Sequence, residues 1–120
     1  MALILLAEDE AATRDLVKRA LEAEGHSVVL AKDGGEAIAA LDGPNGGIEV
    51  LIADVEMPVI DGIALAERAL ERAPGVRILL MSGFPEQLGR ASTLKAAHLL
   101  AIAKPFTLEQ IRKEVRTLLA

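Results

Sequence analysis

The chain has no cysteine, tryptophan or tyrosine, and its aromatic side chains are limited to Phe84 and Phe106. Without cysteine there can be no disulfide, no thiol catalysis and no cysteine-held metal, which suits a reducing cytoplasm, the expected location. Two phenylalanines are too few for recognition by stacking on bases. No apolar run approaches the roughly 20 residues of a membrane span. The opening MALILLAEDE reaches acid at Glu8 and has no basic flank, so it does not read as a signal peptide. Basic clusters are missing too: Arg112, Lys113 and Arg116 are interleaved with acids, and the formal net charge is −5. Direct contact with nucleic acid is therefore not expected.

What the chain does have is apolar substance, 52% of its 120 residues, enough for the core of one domain over 1–120. It falls in five short runs, Ala2–Ala7, Val28–Ala31, Ile48–Ala53, Val76–Met81 and Leu99–Ala103. Runs largely unbroken by polar residues are the mark of parallel strands covered on both faces; Glu49 and Arg77, each near the start of its run, interrupt. Between them lie helical patterns. Residues 11–23 set Ala12, Leu16, Val17, Ala20 and Leu21 on one face, and 35–42 and 62–73 follow suit. The last helix opens on a capping box of Thr107 and Gln110, with Phe106 placed to staple against Ile111. Residues 85–96 carry Gly89 and a mixed pattern, a weak helix. Strand and helix alternating five times predicts an α/β fold: a five-stranded parallel sheet of order 2-1-3-4-5, doubly wound by five helices and flavodoxin-like.

The chemistry-bearing residues follow the strands. Glu8, Asp9 and Glu10 come after the first, Asp54 ends the third, Ser82-Gly83 follows the fourth and Lys104-Pro105 the fifth. In such a sheet the ligand crevice lies beyond the strands' carboxyl ends, at the switch point between strands one and three. Taken singly, each residue has an ordinary alternative as a helix cap, a turn or a solvated loop residue. Their joint placement is what argues for a site. Two like charges about 4 Å apart cost on the order of 4 kcal/mol at an effective dielectric near 20. A hard cation such as Mg²⁺ relieves that repulsion, and it takes carboxylate and phosphoryl oxygens as ligands. Metal should then raise the melting temperature, and Asp9→Asn should raise it without metal. An Asp carboxylate can attack phosphorus, with Mg²⁺ and Lys104 neutralising charge and Ser82 donating to a phosphoryl oxygen.

These residues, in ILLAEDE, IADVEMPVIDG, LLMSGF and AKPFT, resemble response-regulator receiver domains over the whole chain. The resemblance implies Mg²⁺ held by Glu8, Asp9, Asp54 and the backbone carbonyl of Glu56, with Glu10 the other acid available. It implies Asp54 as phospho-acceptor, Lys104 as its cationic partner, Ser82 as a switch hydroxyl and a cis Lys104-Pro105 bond. A histidine kinase or histidine phosphotransferase would be the donor. A downstream protein would dock on the face of helix four, strand five and helix five. One position departs: Ala101 stands where the family usually carries an aromatic residue that turns with the hydroxyl. Glu56 and Phe84 flank the phosphoryl position and are expected to alter its lifetime.

Met1 suggests a native start, hence a stand-alone receiver, similar to those that take phosphate from alpha-proteobacterial cell-cycle phosphorelays. Receivers fused to hybrid histidine kinases are also similar, and excision from one is the alternative. Two other classes stay open. A haloacid-dehalogenase-type phosphohydrolase would need a D-x-D run after strand one, where Glu8-Asp9-Glu10 stands. A phosphorylation-independent binding module would need no competent pocket.

Overall fold

Alternation of side chains along buried strands divides the interior in two. In a computed structural model describing residues 1–43 and 47–120, five strands pair in parallel in the order β2-β1-β3-β4-β5. They are β1 Leu3–Ala7, β2 Ser27–Ala31, β3 Val50–Asp54, β4 Arg77–Ser82 and β5 Leu99–Ala103. The order is the expected one, although β3 starts two residues after the predicted Ile48. On one face Ile4, Leu6 and Ile52 pack with α1 (Ala11–Ala23) and α5 (Leu108–Leu119). On the other, Leu5, Leu51 and Leu80 pack with α2 (Gly34–Asp42) and α3 (Gly62–Arg72). Both faces being covered is why β1 and β3 lack polar alternation.

The α5 capping box is present: the Gln110 N–H donates to Thr107 Oγ1 at 3.1 Å, and the Thr107 N–H to Gln110 Oε1 at 2.7 Å. Phe106 packs against the cluster that contains Ile111. In α1 the buried stripe is Val17, Ala20 and Leu21, whereas Ala12 and Leu16 are exposed, contrary to expectation. Each helical residue advances about 100°, so Leu16 falls well round the helix from Val17 and off the sheet-facing side. The fourth helix is short: α4 spans Pro85–Leu88 and runs into a 3-10 helix, Gly89–Thr93.

Candidate functional site

The sheet's carboxyl edge collects the acids. Glu8, just past β1, is fully buried; its N–H donates to the Ala31 carbonyl at 3.0 Å, and Arg14 donates to its carbonyl at 2.9 Å. Asp54 ends β3 and is 4% exposed. Beyond β5, the Lys104 N–H donates to the Ser82 carbonyl at 2.8 Å, which continues the strand pairing and fixes where the lysine side chain leaves. Its Nζ donates to Glu8 Oε1 at 2.6 Å and also to Asp54 Oδ2. One ammonium thus bridges two buried carboxylates. Their remaining oxygens are held by backbone, Glu8 Oε2 by the Glu10 N–H at 3.1 Å and Asp54 Oδ1 by the Glu56 N–H at 3.0 Å. The Lys104-Pro105 bond is cis, as the resemblance implied.

Burial has the largest effect on Glu8, pushing its carboxyl from 4.5 up to about 7 against the pull of Lys104, with the Asp54 charge adding to the rise. Burial also disfavours the Lys104 charge, but hydrogen bonds to Asp54 and Glu8 outweigh it and hold the ammonium above its ordinary value. Oxygens of Glu8, Asp9 and Asp54 lie within 4.8 Å of one another, Asp9 being the exposed member. Three hard oxygen donors, two of them in a nearly dry crevice with one cation between them, suit a small divalent ion. Glu10 stands apart from this trio as the N-cap residue of α1, where its side chain accepts from Thr13.

Ser82 is buried but turned elsewhere. The alternation that puts Leu79 and Met81 on the α1–α5 side puts Ser82 with Leu80 on the α3 side. Its hydroxyl lies 2.7 Å from Glu56 Oε2 and accepts the Phe84 N–H at 2.9 Å; the Phe84 carbonyl, 3.0 Å away, is the other acceptor in reach. The charged Glu56 oxygen, being closer, takes the single hydroxyl proton. Nothing in the sequence announced this pairing. The ion pair of Arg90 with Asp61 at 2.7 Å was equally silent, although Asp61 could be read as the N-cap of α3, which it is.

The β3–α3 loop is tightly wound. A Cβ at Gly62 would sit 2.4 Å from the Asp54 carbonyl, so only glycine fits there. At Val59 the backbone has φ of 75°, and the Ile60 N–H donates back to the Pro58 carbonyl at 2.9 Å. That is a γ-turn of the strained hand, centred on a β-branched residue that is 83% exposed. Val59→Gly is expected to stabilise the fold by about 1 kcal/mol, the released strain exceeding the added chain entropy. Chemical denaturation measures it; a destabilised variant would mean the turn is unstrained.

Residues 4–116 match the response regulator receiver domain family. The chain belongs to that family. It is a receiver domain of two-component signalling. It is 31% identical to the sensor kinase CckA of Brucella abortus over 98% of its own length and 12% of that protein. It is 35% identical to the transcriptional regulatory protein TrcR of Mycobacterium tuberculosis over 97% of its length and 44% of the relative. The receiver therefore spans less than half of these curated relatives. Among solved structures, the receiver domain of the hybrid histidine kinase CckA superposes with a TM-score of 0.83 at 30% identity, covering 98% of this chain and 99% of that one. The response regulator TrrA of Thermotoga maritima, solved with Mg²⁺ and BeF, gives 0.84 at 27% identity over 98% and 99%. No helix among the described residues is long and apolar enough to cross a membrane.

Proposed function

We propose that Asp54 is the phospho-acceptor of this receiver, taking a phosphoryl group from a histidine kinase or histidine phosphotransferase in the cytoplasm. The observation that carries this reading is the triple junction at Asp54, where Lys104, the Glu56 N–H and the acids Glu8 and Asp9 converge on one carboxylate. An Asp54 oxygen attacks phosphorus as the bond from phosphorus to the donor's imidazole nitrogen breaks, and the electron pair leaves with that nitrogen. Lys104 moves its charge to the new phosphoryl oxygens while the Glu56 N–H keeps the carboxylate oriented. Glu8, Asp9, Asp54 and the Glu56 carbonyl would hold Mg²⁺, which neutralises charge on the transferring group. The chain acts as an acceptor and at most a slow autophosphatase, and the loaded form docks a downstream protein through α4, β5 and α5.

Intact mass after incubation with acetyl phosphate and Mg²⁺ tests it. One phosphoryl group should be gained, and none by Asp54→Asn. Steady phosphoester turnover would instead point to a hydrolase, and neither result to a phosphorylation-independent binding module.

A further inference from the structure

Asp9 is the exposed member of the carboxylate trio, and it stands on the turn between β1 and α1 rather than on a strand. Its direction is therefore set by the backbone on either side. The β1–β2 register ends at Ala7 and Ala31, so the Glu8 carbonyl lies past the paired strands. Arg14 supplies a donor for it. The half-buried arginine side chain reaches back from the first turn of α1, and Nη1 donates to that carbonyl at 2.9 Å. Its own backbone N–H donates to the Glu10 carbonyl, also at 2.9 Å. One residue thus holds the chain on both sides of Asp9. The Glu10 N–H, bound to Glu8 Oε2 at 3.1 Å, closes the turn from within.

Helix stability does not account for an arginine at this place. The first turn is the positive end of a helix and favours acids and side-chain caps. In α1 that turn has no acid, and the N-cap residue Glu10 makes no capping bond to the backbone, its carboxylate being taken by the Thr13 hydroxyl. Arg14 adds a cation to the same end, which is a local cost. Breaks in a local rule of this kind gather where function sets the residue. Charge does not account for it either. A further cation near Glu8 and Asp54 makes the crevice less attractive to Mg²⁺. What remains is position.

We propose that Arg14 is a positioning residue for the metal site: it clamps the turn of Glu8, Asp9 and Glu10 so that the exposed Asp9 carboxylate stays beside Glu8 and Asp54. Asp9 is thereby aimed without being buried, and the crevice keeps one open, hydrated side. The clamp rests on Glu8, Asp9 and Asp54 being the carboxylates that hold Mg²⁺. It acts before any phosphoryl group arrives.

Calorimetric titration of the whole chain with Mg²⁺ tests it. Arg14→Met keeps the apolar stem and should weaken binding about tenfold, the usual weight of a residue that orients a metal ligand. Arg14→Lys keeps a cation of shorter reach and no fork, so it should recover only part of that loss. In an Asp9→Ala background the same Arg14→Met change should cost nothing further, because the side chain it positions is gone. Tighter binding by Arg14→Met would show that the arginine acts through its charge, and unchanged binding that it does not act on the site; either overturns the proposal. So does an equal loss in both backgrounds, which would place its effect in the fold at large. If Arg14→Met does not fold in EDTA, Arg14→Lys decides, wild-type affinity overturning the clamp and weakened affinity supporting it. The titration needs no phosphoryl transfer. A missing adduct at Asp54 alongside weakened Mg²⁺ binding in Arg14→Met removes the acceptor reading and keeps the clamp. A wild type that binds no Mg²⁺ removes the metal reading and the clamp together.

Discussion

Lys104→Met should cost the metal-free receiver about 3 kcal/mol of stability at pH 8, and markedly less at pH 5. The methionine keeps the length and apolar stem of lysine, so the loss reads the charge rather than the packing. Removing the ammonium leaves Glu8 and Asp54 facing each other in a buried crevice with no cation between them. Lowering the pH lets a carboxylate take a proton and removes the repulsion, which is why the cost should shrink in acid. Urea denaturation in EDTA at the two pH values measures it. Equal losses at both would show that the lysine acts through its stem, and that the acids are already neutral or hydrated.

Magnesium affinity should climb about tenfold per pH unit below pH 7 and level off above pH 8, because binding must displace one proton from Glu8. The Glu8 carboxyl sits at about 7 in the fold against 4.5 ordinarily, chiefly through burial. Between those values the folded chain holds a proton that the unfolded chain has lost. Metal-free stability therefore falls as pH rises from about 4.5 through 7, the opposite of the common carboxylate case. Saturating Mg²⁺ should offset that fall, so melting curves with and without metal diverge as pH increases. Calorimetric titration at several pH values checks the affinity, and scanning calorimetry in EDTA checks the slope. An affinity independent of pH from 5 to 8 would place the proton elsewhere.

The sequence made the framework readable because each cue was local. Largely unbroken apolar runs announced strands covered on both faces, and Thr107 with Gln110 announced the start of α5. Topology then carried Glu8, Asp9, Asp54 and Lys104 to one edge, since their positions just past strand ends follow from strand order alone. Less legible was how the charges divide. Three acids after strands could be seen, but burial sorts them: Glu8 and Asp54 are enclosed while Asp9 is exposed to solvent. The relief expected from Asp9→Asn therefore belongs chiefly to Glu8. Periodicity likewise placed Leu16 in the α1 stripe, yet it is 50% exposed, because a spacing of four residues defines a row and not which row meets the sheet. The Ser82–Glu56 and Arg90–Asp61 contacts join residues 26 and 29 positions apart, from the end of β4 and from the 3-10 helix to the β3–α3 loop, and no periodic rule links such pairs.

The alternation that turns Ser82 away from Leu79 and Met81 has a wider consequence. The hydrogen-bonded sheet is a partition between two apolar rooms, one shared with α1 and α5 and the other with α2 and α3. By the same alternation Asp54, two residues beyond Ile52, belongs to the first room and Ser82, two beyond Leu80, to the second. Within the sheet, a change in charge on one side of that wall has no side-chain route to the other. It can pass round the end of the strands, where the β3–α3 loop crosses from Asp54 to Glu56, so the rim of the sheet is a doorway as well as a pocket.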